Sequence, residues 1–135
     1  MQTHPKGKSG KGVARKYTGD VWVDIIVPGE EKSRVYVNEV RYAPGARTHW
    51  HSHPGGQTVY VTEGVGYAQS KGGPVVELHP GYILYTAPNE VHWHGAGPEQ
   101  FHTNISIRES ANEDAQSVKT HWFEPITDEE YNRRG

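Results

Sequence analysis

The sequence predicts an all-β fold, a jelly-roll barrel with a flexible arm before it and a short helix after it. Three observations carry that prediction. The first is punctuation: 16 Gly and 9 Pro among 135 residues break the chain at short intervals. The second is texture. Between the breaks run short segments rich in Val, Ile, Thr, Tyr and Trp, residues that pack well on a pleated surface. The third is rhythm: about nine such segments recur with a turn signal roughly every 8–12 residues, the spacing of a sandwich or barrel.

The elements follow in order. Residues 1–12 (MQTHPKGKSGKG) are Lys- and Gly-rich with almost no apolar side chains. With the next four they read as a flexible basic arm, 1–16, ahead of a single domain, 17–135. Strands are expected at 20–27, 33–42, 48–53, 57–63, 65–70, 75–78, 82–86, 91–94 and 101–107. Turns at Pro28-Gly29, Ala43-Pro44-Gly45, Pro54-Gly55-Gly56, Gly64 and Lys71-Gly72-Gly73-Pro74 separate the first six. The length suits one domain, and no internal repeat suggests a second barrel. Near the end, Thr127 with Glu130 three residues on forms a capping-box pattern, which predicts a helix over 128–133.

Composition excludes several functions. A net charge of -2 and a pI near 6.5 leave no basic stripe for nucleic acid. No apolar run approaches the ~20 residues that cross a bilayer, so no membrane partner is expected. Residues 1–12 lack the apolar core of a secretion signal, and a cytoplasmic location follows as the expectation. The absence of Cys removes disulfides and thiolate ligands.

Histidine departs from this plain background. Seven of the nine histidines fall between positions 49 and 102. Such clustering suggests a metal or acid–base site. Side chains at i and i+2 on a strand share a face, so one strand can turn both His51 and His53 inward. Imidazoles joined by an amide oxygen suit one borderline divalent ion: Mn, Fe, Co, Ni or Zn.

The spacing Gly45-x5-His51-x-His53-x3-Gln57-x6-Gly64 resembles the first motif of the cupins. A second, looser motif follows around Gly81, Pro88 and His92. Where the family has Gly-Asp and Pro-Pro-Gly, this chain has Gly81-Tyr82 and Ala87-Pro88-Asn89; Asn89 can take the left-handed turn position nearly as Gly does. The strings PGARTHWHSHPGGQ, GYAQSKGGPVVELHPG and VHWHGAGP look like small bacterial cupins related to manganese-dependent hydroxynitrile lyases, often called carboxymuconolactone-decarboxylase-associated cupins. The resemblance implies a double-stranded β-helix (jelly-roll) barrel. It also implies one metal per chain, manganese first, held by His51, His53, Gln57 and His92, with Gln57 standing where Glu is usual.

Around this set, alternation places His49 with His51 and His94 with His92, so either could carry a proton. On the last core strand His102, Asn104 and Arg108 share a face; in the lyase relatives a histidine stands where Asn104 stands here. Arg108 could bind a carboxylate or pair with an acid. Val59 and Val61 share the face of Gln57 and give the pocket an apolar wall. Trp50 and Trp93 should face outward, which suggests a homodimer or homotetramer. The stretch His121-Trp122-Phe123 reads as an aromatic patch rather than a site.

Four neutral ligands leave the ion its full charge and favour Lewis-acid chemistry on a small oxygenated substrate. The resemblance implies a hydroxynitrile-lyase reaction, cyanohydrin to aldehyde plus cyanide. A dioxygenase, an isomerase or decarboxylase, or a non-enzymatic metal-binding or ligand-binding cupin are the alternatives.

Overall fold

The computed structural model describes residues 1–110 and 119–133. Among them the strands are β1 (Gly10–Lys11), β2 (Tyr17–Thr18), β3 (Val21–Pro28), β4 (Val35–Tyr42), β5 (Arg47–Thr48), β6 (His51–Ser52) and β7 (Gln57–Gly64). They continue with β8 (Gly66–Ser70), β9 (Val75–Leu78), β10 (Ile83–Thr86), β11 (His92–Ala96), β12 (His102–Glu109) and β13 (His121–Trp122). One helix, α1 (Asp128–Asn132), follows.

The long strands make one wall, in the order β1-β3-β4-β12-β7-β10. The short ones make the other, β13-β6-β11-β5-β2, with β8 and β9 added beside β11. Every pairing is antiparallel. Alternation then decides what lies inside. Register stacks Tyr36, Arg108 and Gln57 in one row across β4, β12 and β7. Below it come Asn38, Ser106 and Val59, then Val40, Asn104 and Val61. Tyr42 and His102 form the floor. The barrel interior is therefore polar at both ends and apolar on one flank, where Val61 packs with Ala68 and Leu78.

The strand expected at 48–53 is two short strands instead. Trp50 donates its backbone N–H to Glu124 (3.0 Å) and accepts from Phe123 (2.8 Å), so the C-terminal segment takes the place of a continued ladder. Across from it, β11 pairs His92 with His51 and Gly95 with Arg47, which leaves one extra residue on the β5–β6 side. That bulge breaks the alternation between His49 and His51.

The helix forms at its predicted position, with Thr127 and Glu130 closing a reciprocal capping box. Its role is to cover the second wall. Trp50 and Trp93 do point away from the barrel interior, but they are buried against Ile126 and Tyr131 rather than exposed. The case for an oligomer based on exposed tryptophans therefore falls. Arg47 locks the lid down: its buried guanidinium donates to the Ile126 carbonyl and to Asp128, both at 2.8 Å, and stacks on Tyr131. Truncating Trp93 would cost about 3–5 kcal/mol by the usual scale for buried aromatics.

Residues 1–16 make specific contacts. Gly10 and Lys11 pair with β3, Ser9 accepts from Arg41 (2.6 Å), and the Lys16 carbonyl accepts from the His49 backbone N–H. No helix among the described residues is long and apolar enough to cross a membrane.

Candidate metal centre

Four elements deliver the candidate ligands. His51 opens β6 and stands opposite His92, which opens β11. His53 follows β6, and Gln57 opens β7. Two turns hold these starts together. Gly56 has φ 76°, and a Cβ there would lie 2.7 Å from the Thr86 carbonyl oxygen, so the turn needs glycine. The facing turn carries Asn89 at φ 64°, the left-handed position foreseen for it, and its N–H donates to the His53 carbonyl at 2.8 Å. Glu90 accepts from the Ala87 N–H (2.9 Å) and from the Ser70 hydroxyl. The turn that delivers His92 is thus tied directly to the loop that delivers His53.

One ring nitrogen from each of His51, His53 and His92 lies within 4.8 Å of the other two, and all three rings are buried. Donors around one ion at ~2.1 Å stand about 3–4 Å apart, so the set is compatible with a single metal. The three imidazoles agree in their other nitrogen. His51 Nδ1 donates to the His49 carbonyl and His92 Nδ1 to the Glu90 carbonyl, both at 2.9 Å. A carbonyl can only accept, so each Nδ1 holds the proton and each Nε2 keeps its lone pair. His53 Nδ1 makes the matching bond to the Thr120 hydroxyl at 2.9 Å.

The fourth candidate follows the same logic. Gln57 Nε2 donates to the Ser106 hydroxyl, which fixes the amide and leaves Oε1 as the free end. Among the described residues, Nε2 of His53, Nε2 of His92 and Oε1 of Gln57 are buried with no hydrogen bond of good geometry, and the Gln57 amide stands close enough to His53 to oppose the fall in its pKa. Orphaned acceptors of this kind are costly unless something binds them. The residues present therefore fit a divalent cation.

Burial keeps the rings neutral, the form a metal needs. It pushes His51 well below the ordinary histidine value, helped by His92, His94 and His53. His53 falls to about 3, through burial first and then the charge of Arg108 and the nearness of His92. His92 is lowered by burial as well. Trp122 caps the group, its ring 4.7 Å from that of His51 and inclined by 23°.

Beneath the three rings lies a second cluster. His94 stacks near His92 with ring centres 5.5 Å apart, and its Nδ1 shares a 3.2 Å hydrogen bond with the Tyr42 hydroxyl. Burial holds His94 well below its ordinary value and Tyr42 well above, so both are neutral. His94 Nε2 has no hydrogen-bond partner among the described residues. Asn104 donates to His102 Nε2 at 3.0 Å, and burial lowers His102 to about 4.

The other candidate residues are placed as follows. Val59 and Val61 line the interior wall, both essentially inaccessible. His102 and Asn104 lie deep in the barrel, below the ligand level. Arg108 sits at the mouth, stacked 4.2 Å from the Tyr36 ring. His49 is buried, but its titration is governed by burial and by the backbone of Arg15. It makes none of the ring contacts that join His51, His53, His92 and His94 among the described residues.

Tyr42 and Thr120 were not singled out by sequence, Ser106 was placed only by sharing the face of His102, Asn104 and Arg108, and Trp122, read as part of an aromatic patch rather than a site, stacks on His51. Alternation from Val40 could have placed Tyr42 inside. Thr120 and Trp122 are far from the motifs in sequence, and only the pairing of β13 with β6 brings them in.

Known proteins resemble this chain in sequence and fold. The Cupin domain family matches residues 38–103. The chain is 45% identical over 125 residues to an (R)-mandelonitrile lyase of Granulicella tundricola, covering 93% of this chain and 92% of that one. A cupin-like protein from Thermotoga maritima superposes with a TM-score of 0.83 at 39% identity, over 97% and 95% of the two chains. The polyketide cyclase RemF from Streptomyces resistomycificus shares the fold at 16% identity, with a TM-score of 0.70 over 97% and 90%. With its barrel, its second-motif turn and its three-histidine group accounted for, this chain belongs to the cupins, as a small single-domain member.

Proposed function

We propose that the chain is a metal-dependent lyase of the hydroxynitrile type, cleaving a cyanohydrin reversibly to an aldehyde and cyanide. The observation that supports it most is the agreement among His51, His53, His92 and Gln57, each fixed by a second hydrogen bond that leaves one donor atom free. The likeness to an (R)-mandelonitrile lyase supports the reaction class. An ion held there, manganese first with iron, nickel, cobalt or zinc able to use the same donors, supplies Lewis-acid polarisation of a substrate oxygen.

The protein's own residues do the rest. The four donors are neutral and cancel none of the ion's charge. Val59 and Val61 offer an apolar wall to the hydrocarbon part of the substrate. His94 presents an unpartnered Nε2, and the Tyr42 hydroxyl orients its ring. In this reading Nε2 takes the hydroxyl proton as the carbon–carbon bond breaks and returns it to cyanide, so HCN leaves and no proton is lost. Tyr42 and Asn104 keep that ring and its neighbour His102 in place.

The test is release of benzaldehyde from racemic mandelonitrile by manganese-loaded protein. The expected result is release above the buffer rate, with one enantiomer consumed faster. A rate no higher than buffer would rule the lyase reading out. The same reading takes the protein as a homodimer. Tyr60, Ile83, Tyr85 and Ile107 are exposed together on the outer face of the long-strand wall. A single-chain mass by sedimentation would refute the dimer.

A further inference from the structure

Arg108 is the one residue of the interior rows that carries a fixed charge. It lies in the top row with Tyr36 and Gln57, so it borders the candidate ligand set. Its charge reaches His53, Tyr17 and Tyr36. The guanidinium carbon lies over Tyr36, 4.2 Å from the ring centre, a cation–π contact that holds the head beside that ring. The ion pairs among the described residues use Lys6, Lys11, Arg34, Arg41, Arg47, Lys71, His79 and Arg133. Arg108 is in none of them. The rim salt bridge that would give it a structural task is absent among these residues; Glu109, the next residue, pairs with Arg34 instead.

A half-buried guanidinium with no acid beside it among the described residues is costly in a resting protein. Its flat fork matches a carboxylate, two N–H groups to two oxygens. One phenol, Tyr36, stands against it and can add a hydroxyl donor. The four candidate ligands bring no negative charge, so an occupied metal site and Arg108 together make the mouth strongly positive.

The geometry points to a substrate that carries a carboxylate: Arg108 binds the carboxylate at the mouth while a neighbouring hydroxyl or carbonyl is turned toward His51, His53 and His92. This deepens the metal-dependent reading and rests on it for the second half only. Arg108 is in this account a specificity-determining residue, and the substrate class is a small cyanohydrin, or in the reverse direction an aldehyde, that also carries a carboxylate.

Binding of benzoate and of benzamide, equal in shape and different in charge, tests the proposal by calorimetry in low-chloride buffer. The full chain is used both after chelation and after zinc loading, with Arg108→Gln and Arg108→Lys beside the wild type. Benzoate is expected to bind the wild type in both forms and to bind Arg108→Gln at least tenfold more weakly. Arg108→Lys should fall between, because it keeps the charge and loses the fork. Benzamide should not distinguish the three proteins. Zinc content should be equal in all three, which shows a folded site independently of any activity. Failure of benzoate to bind the chelated wild type, or equal affinity for wild type and Arg108→Gln, overturns the proposal. If Arg108 governs benzoate binding but no protein takes up zinc, the carboxylate grip stands and the metal reading falls.

Discussion

His92 and His94 lie two residues apart on the same strand, and both are almost inaccessible. Their surroundings separate them. His92 gives its Nδ1 proton to a backbone carbonyl, as His51 does, and keeps its Nε2 lone pair for the level of Gln57. His94 meets a hydroxyl that can either give or accept, and it sits above Asn104 and His102. In the upper group His51 and His92 are thus locked in one tautomer by carbonyls that can only accept, while the Thr120 hydroxyl orients His53; a fixed Nδ1 proton suits metal binding. The lower group can exchange a proton, which suits acid–base work. Same residue type, same strand and similar burial meet a different hydrogen-bond partner each, and in the proposed reading that partner divides metal ligand from proton carrier.

That contrast can be broken at several points. The largest effect should come from His94→Ala, which removes the proton carrier but no ligand. Turnover of mandelonitrile should fall by about 10²–10⁴-fold while metal content stays at the wild-type level. Loss of metal along with activity would erase the distinction between the two groups. A smaller effect is expected from Thr120→Val, which strips His53 of its Nδ1 partner. Metal affinity should weaken by about 10–100-fold, read by competition with a chelating dye. Unchanged affinity would mean that the Thr120 contact does not orient the ring.

The smallest of the three sharpens the lower group. His102 titrates at about 4 in the folded chain and near the ordinary 6.5 when unfolded. The unfolded state therefore takes up the proton first. The stability that comes from keeping His102 neutral is complete above pH 6.5 and is lost as pH falls toward 4. It is of the order of 3 kcal/mol at most. Melting of the chelated protein across this window, compared with His102→Gln, reads it. The wild type should lose more stability on acidification than the variant, and parallel curves would contradict the assignment.

Much of this could be read from the residues alone, and for a clear reason. Turn residues punctuate the long strands, and strict alternation on β4, β7 and β12 determines which side chains line the interior. Tyr36, Asn38, Val40 and Tyr42 follow from it, as do His102, Asn104, Ser106 and Arg108. Alternation failed where the strand broke. At 48–53 the C-terminal segment captures the backbone of Trp50, the chain gains a bulge, and His49 leaves the phase of His51. Long-range pairing was equally hidden. Nothing local announces that Trp122 will stack on His51, or that Ile126 and Tyr131 will cover two tryptophans expected to be exposed. The Asn89 turn was a departure from the family pattern that conformational preference alone could interpret, and its φ of 64° is the value that preference allows.

The central claim is that three Nε2 atoms and one amide oxygen hold a single divalent ion. Elemental analysis of the purified protein, run beside His53→Ala, tests it most directly. The account predicts close to one transition-metal ion per chain in the wild type and almost none in the variant, with both folded by circular dichroism. A folded wild type without stoichiometric metal, or a variant that retains it, would contradict the account.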